Sequence, residues 1–255
     1  GCPPRVRALL GEALAASALL SGSIEAHDSL IVQVQASGPV HLVVAQCTSQ
    51  RSLRGLARWT GAVEPGGLQT LCGTGTLAIT IDPGRGQERY QGLVALSGES
   101  VAQAIETYFE QSEQLPTHLW LACDGERAAG LLVQSLPGQR ADPDAWNRIQ
   151  LLAATVRPGE LLDSSLDELR RTLFPEEDVR VFDPQRTTYH CTCARETIGT
   201  VLASLGRAEL EEALDELGEL TVTCEFCNRR YVFDRVDVEA VLAGEGTPAG
   251  SSTRH

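Results

Sequence analysis

The sequence predicts an α+β protein: an N-terminal sheet-and-helix domain, a helical metastable linker and a small C-terminal zinc-binding module. Three observations carry that reading. One amphipathic helix is followed by strand-like runs punctuated by turn residues. Prolines then crowd a stretch of short amphipathic segments. Last, two close cysteine pairs flank a helical loop near the C-terminus.

The first helix covers residues 4–20. Pro3 and Pro4 stand at its start, and apolar residues recur at helical spacing. Arg5, Arg7 and Glu12 make it amphipathic, and it lacks the n-region and cleavage pattern of a signal peptide. Strands are expected at 29–36, 40–46, 51–59, 75–81 and 89–97, separated by the turn signals SGP, EPGG, CGTG and DPGRG. A helix over 99–113 comes next. THLWLAC and AGLLVQSL then form a hairpin around Asp124-Gly125. These elements make up an N-terminal domain of residues 1–137.

The texture changes at Pro137. Five of the twelve prolines (137, 143, 158, 175 and 184) fall within the next stretch, around the segments DAWNRIQLLAATV and LDSSLDELRRTLF. Each segment has an apolar face but spans only about three turns, a length that is marginal without tertiary packing. Residues 138–190 therefore read as a linker that folds only against something else. Residues 191–243 form the third module, and 244–255 a disordered tail.

Composition excludes several functions. No apolar run approaches the ~18 residues of a membrane span, and the chain is expected to be soluble and cytoplasmic. The net charge is −13, with no basic patch to meet phosphates, so neither nucleic acid nor membrane is an expected partner. Residues 1–137 carry 12 acids and 8 arginines, net −4; residues 138–255 carry 22 and 13, net −9. All 21 basic residues are arginine. That removes a Walker A lysine, a Schiff-base lysine and a kinase-type lysine. G-x-S-x-G, H-E-x-x-H and a triad are also missing, and no enzymatic role is expected. Methionine is absent and residue 1 is glycine, which reads as a fragment or a trimmed chain.

The chemistry lies in HCTC (190–193) and CEFC (224–227). They hold four of the eight cysteines, with 224 − 193 − 1 = 30 residues between them. Two close pairs around a loop suit one tetrahedral zinc ion held by Cys191, Cys193, Cys224 and Cys227. In an extended backbone residues i and i+2 point the same way, so Cys191 and Cys193 can face one metal. CEFC reads as a strand–turn–strand knuckle, and the intervening segment supplies two short helices. His190 is expected to be a bystander. Alternatives remain: a thioredoxin-like couple, which needs CxxC at a helix start, or disulfide staples of a secreted protein. Cys2, Cys47, Cys72 and Cys123 are scattered; Cys47 and Cys123 end strands and read as buried core. Gly73-Thr74-Gly75 reads as a hairpin turn.

Oxidation of such a site has an unusual consequence. Structural zinc contributes about 10–16 kcal/mol of folding energy, comparable to the ~5–15 kcal/mol stability of a whole domain. Were an oxidant to join nearest neighbours, 191 to 193 and 224 to 227, both bonds would be local. The one long-range crosslink would be lost, the module would unfold, and anything docked on it would lose its support.

HCTCARE and CEFCNRRYVF, with RYQGLVALSGES, YFEQSEQLPTHLWLA, VFDPQ and VQVQASGPV, resemble the thirty-three-kilodalton chaperonin family of redox-regulated bacterial heat-shock holdases. The likeness covers essentially the whole chain. It implies an ATP-independent cytoplasmic chaperone, inactive when reduced and zinc-bound. Peroxide or hypochlorous acid with mild unfolding stress then forms the disulfides Cys191–Cys193 and Cys224–Cys227 and releases zinc. The linker unfolds, and the active protein, usually a homodimer, binds unfolding clients. Apolar faces such as Trp146, Ile149, Leu151 and Leu152, or Leu166, Leu169 and Leu173, are then expected to meet the client. The departure lies at the N-terminus, where family members begin a few dozen residues earlier with a further strand and helix. Two other readings stay open: a zinc-ribbon interaction module without a redox role, and a thiol–disulfide oxidoreductase.

Overall fold

The computed structural model describes residues 2–23, 28–84, 87–136, 138, 142 and 144–244. The tail expected to be disordered lies, from residue 245 onward, outside the described residues. The chain divides into two units, Gly1–Tyr189 and His190–His255, and the architecture is α+β.

In the first unit, helix α1 (Pro4–Leu20) buries Val6, Leu9, Ala13, Ala16 and Leu20 along one face. Strands β1 (Ser29–Ala36), β2 (Val40–Thr48) and β3 (Ser52–Trp59) form an antiparallel meander beneath it. Helix α2 (Leu68–Cys72) leads into β4 (Gly75–Asp82) and β5 (Tyr90–Ala95). These strands build a sheet of order β5-β4-β1-β2-β3, continued past β3 by a short final strand. Inward residues alternate along the strands (Leu30, Val32, Val34; Val43, Ala45, Cys47), as the period of two requires.

The expected helix over 99–113 is shorter and changes form. Ser100 caps α3 (Val101–Tyr108), its side chain accepting from the Gln103 N–H. The last turn, Phe109–Glu113, widens to a π-helix. There the Glu113 carboxylate accepts from both Tyr108 Oη (2.7 Å) and Tyr90 Oη (2.9 Å), which fixes the wider turn. Strands β6 (Thr117–Cys123) and β7 (Ala128–Gln134) form the expected hairpin. Helix α2, inside the stretch read as turns, was not expected; Leu68, Leu71 and Cys72 bury it.

Three further helices follow: α4 (Ala145–Ala153), α5 (Pro158–Asp163) and α6 (Leu166–Leu173). The segment LDSSLDELRRTLF is thus not one helix. It breaks at Ser164 and Ser165 because Ser165 and Glu168 form a capping box that starts α6. These helices lie against the hairpin. Val156, Leu161 and Leu173 share a small core with Ala122, and Trp120, Ala129, Leu131 and Leu169 pack around it. Arg127 on the hairpin donates to the Leu162 carbonyl (3.1 Å) and pairs with Asp163 (3.0 Å). The fit is incomplete: a cavity of about 400 Å³ lies between α1, α3, β6 and α5, lined by Glu12, Gln103, Glu106, His118, Trp120 and Leu161 among others. Leu151 and Leu166 stay exposed at 67% and 77%, whereas Leu173 is buried.

The chain then runs exposed to β8 (Thr188–Tyr189), parallel to β3 at Ser52 and Leu53. Arg51 anchors this end. Its carbonyl accepts from the Thr188 N–H (3.0 Å), and its guanidinium donates to Gln185 Oε1 (2.6 Å) and to Ser21 Oγ (2.5 Å).

The second unit contains α7 (Arg195–Ala203), α8 (Arg207–Leu217), the hairpin β9 (Leu220–Thr223) with β10 (Arg230–Phe233), and α9 (Arg235–Leu242). Its core is Leu202, Leu210, Leu214, Leu220, Tyr231, Phe233 and Val238. Asp234 caps α9, an element the sequence reading left unassigned.

Candidate metal centre

The CEFC pair sits in the turn of the β9–β10 hairpin. The Cys224 N–H donates to the Arg229 carbonyl (2.9 Å), and the Asn228 N–H returns to the Cys224 carbonyl (2.7 Å). Asn228 takes the left-handed conformation that closes the knuckle, with φ 56°; asparagine tolerates that region better than most residues. CEFC therefore does not stand at a helix start, where a thioredoxin-like couple gains its low thiol pKa.

The first pair lies in irregular chain just before α7, whose N-cap Ala194 is extended. Arg195, at the start of α7, pairs with Asp237 of α9 (2.7 Å) and stacks over the Phe233 ring (4.3 Å). These contacts hold the HCTC segment against the hairpin.

The result is a convergence of four sulfurs. The Sγ atoms of Cys191, Cys193, Cys224 and Cys227 all lie within 4.8 Å of one another. Cys191 approaches Cys224 to 3.6 Å and Cys193 approaches Cys227 to 3.3 Å. A tetrahedron of thiolates at zinc–sulfur distances has edges of about 3.8 Å, so the donor set fits a soft divalent cation in both chemistry and spacing. His190 is exposed and is not among the converging groups.

Cys193 meets a tyrosine hydroxyl as well as the other thiols. Burial pushes its thiol up to about 12; the Tyr231 hydroxyl works against that rise, and hydrogen bonds shared with the thiols of Cys227, Cys191 and Cys224 add to it. A cation bound at Cys193 must therefore displace a proton. Tyr231 Oη lies 3.2 Å from Cys193 Sγ and 3.1 Å from the Cys193 carbonyl oxygen. Burial raises the tyrosine itself to about 12, so it stays a neutral donor at ordinary pH. Sequence reading missed Tyr231; its only signal was an aromatic residue in the strand after the second pair.

The remaining cysteines stand apart from this centre. Cys47 and Cys72 are buried, as expected of core cysteines, and Cys47 accepts from Ser21 Oγ at 3.2 Å. Cys123 is only half-buried, because it ends β6 where the hairpin turns toward solvent. Among the described residues no helix is long and apolar enough to cross a membrane.

The family model described as Hsp33 protein matches residues 1–234. The 33 kDa chaperonin of Nitrosococcus oceani is 48% identical over 253 residues, covering 99% of this chain and 87% of that protein. That of Methylobacillus flagellatus is 44% identical over 256 residues, with the same coverage. Among solved structures, the 33 kDa chaperonin (heat shock protein 33 homolog) of Thermotoga maritima superposes with a TM-score of 0.80 at 25% identity, over 93% of this chain and 85% of that one. Matched along nearly its whole length, with all four converging cysteines inside the matched region, the chain belongs to the Hsp33 protein family.

Proposed function

We propose that this protein is a redox-regulated, ATP-independent holdase of the bacterial cytoplasm, and that it is not an enzyme. In the reduced state Cys191, Cys193, Cys224 and Cys227 hold one zinc ion. A bound zinc ion keeps the thiolates deprotonated and ties the two ends of residues 191–227 together. The observation that carries the reading is the convergence of these four sulfurs within 4.8 Å from two distant pairs.

Residues 138–190 act as the metastable linker, between a core of residues 1–137 and a sensing module of residues 191–243. Several features support this role. The segment's helices have six to nine residues each, too few to persist without docking. Their docking surface includes a cavity of about 400 Å³ with Glu12 and Glu106 in its wall, so the apolar contact is interrupted. The final strand β8 ends at Tyr189, two residues before Cys191.

Oxidation supplies the trigger. Two thiolates of a pair give two electrons to one peroxide, which leaves as two hydroxides while a disulfide forms. The pairs are Cys191 with Cys193 and Cys224 with Cys227. The closest sulfurs cross between pairs, yet those partners are 33 and 34 residues apart in sequence. As the module opens, closing such a loop costs about 2 kcal/mol more than closing a local one, and local bonds win. The linker then undocks from the hairpin and adds Leu169 and Leu173 to the already exposed Leu151 and Leu166, an apolar set flanked by charge that meets unfolding clients. The active form is a homodimer, and nucleic acid and membranes are not partners.

Zinc content, thiol count and suppression of client aggregation, measured before and after mild peroxide treatment, test the reading. It expects one zinc and no suppression when reduced, then loss of four thiols and of zinc with suppression gained. Retained zinc would favour a plain interaction module, and turnover of a model disulfide would favour an oxidoreductase.

A further inference from the structure

Tyr231 is held more firmly than a surface tyrosine. It lies on β10 opposite Val222, is 4% exposed, and packs in the core of the second unit with Leu202, Leu220 and Phe233. Its hydroxyl therefore stands where the fold puts it, 3.2 Å from Cys193 Sγ. The same hydroxyl reaches the Cys193 carbonyl at 3.1 Å. One proton is shared between two acceptors of one residue.

We propose that Tyr231 is a brake on the redox switch: its hydrogen bond to Cys193 Sγ withdraws electron density from that sulfur and slows the reaction of the centre with peroxide. The inference rests on the reading of the four cysteines as an oxidisable zinc site, and it adds a positioning residue that sets the site's threshold.

The chemistry explains the direction. In the first step a sulfur lone pair forms an S–O bond while the peroxide O–O bond breaks, giving a sulfenic acid and hydroxide. The neighbouring thiolate then displaces the second hydroxide and the S–S bond forms. The sulfur lone pair that receives the tyrosine proton is the kind of pair the first step consumes. A hydrogen bond to an ionised acceptor is among the stronger ones, so sulfur can attack only as that bond weakens. The carbonyl at 3.1 Å lets the hydroxyl stay satisfied when this happens, which avoids leaving a buried donor unpaired. The brake can thus be released without breaking the core around Tyr231.

Tyr231→Phe keeps the ring and removes the donor. Zinc release from the reduced full-length variant and wild type is followed with a chromogenic chelator, with and without excess hydrogen peroxide. The expected result is peroxide-driven release about three- to ten-fold faster in the variant, with unchanged release to chelator alone. An unchanged peroxide rate would overturn the proposal. Equal acceleration with and without peroxide would overturn it too, because it would mean that Tyr231 only holds the structure. Should the variant fail to fold, wild type carrying 3-fluorotyrosine, a stronger donor, is expected to release zinc more slowly under peroxide; no slowing would overturn the brake. Wild type that binds no zinc, or keeps it under peroxide, would overturn the zinc-switch reading together with the brake. A normal wild type beside an unaffected variant would overturn the brake alone.

Discussion

The His118 ring on β6 stacks on the Trp146 ring of α4, with centroids 5.6 Å apart and planes within 15°. Its Nε2 lies 3.0 Å from Gln150 Oε1 one turn further along the same helix. Its Nδ1 faces Glu106 Oε1 of α3 at 3.6 Å. One side chain thus pins α4 to the hairpin that carries it.

Removing the pin should release α4 without touching the cysteines. His118→Ala is expected to cost about 1–2 kcal/mol of docking from the lost stack and hydrogen bond. Hydrogen exchange over residues 145–153 should quicken while zinc content stays that of wild type. If linker release activates the protein, the reduced variant should already suppress aggregation in part. Unchanged exchange would mean that the stack contributes little to docking.

Glu12 makes stability depend on pH in an unusual direction. Burial raises its carboxyl from 4.5 to about 7, so the folded state disfavours the charged form. The penalty is absent below the unfolded value near 4.5 and complete above about 7. Stability from this group is therefore present at low pH and lost as pH rises through the folded pKa. Glu12→Gln should raise Tm at pH 8 and change it little at pH 4, below the unfolded value. An equal gain at both pH values would show that ionisation of Glu12 is not the cause.

The cysteines should separate cleanly by role. Cys193→Ser is expected to lower zinc affinity at least tenfold, since one of four thiolates is lost. Cys47→Ser should leave it unchanged, because Cys47 is buried in the sheet core of the first unit. Peptide mapping after oxidation should recover the 191–193 and 224–227 bonds. Crossed bonds, 191 to 224 and 193 to 227, would preserve the long loop closure and remove the reason for unfolding.

Legibility in the sequence followed the range of the interaction. The cysteine pairs could be read because each is local and the spacing itself encodes a knuckle. The strands of the meander were readable for the same reason: SLIVQVQA alternates, and Leu30, Val32 and Val34 indeed point inward. Tyr231 could not be read as a partner of Cys193, because 38 residues and a hairpin register bring them together. His118 and Trp146 likewise meet only through docking of α4 on β6. Helix α2 was hidden because its five residues lie between glycines that signal turns. The break between α5 and α6 was visible in hindsight in the SSLDE capping sequence, but the apolar periodicity runs straight across it.

Hydrogen exchange across the first unit, before and after peroxide, tests the coupling between cysteine oxidation and the linker most directly. The account predicts that residues 145–173 lose protection on oxidation, in step with zinc loss, while strands β1 to β4 keep theirs. Complete loss of zinc and of four thiols, with residues 145–173 still protected, would contradict it.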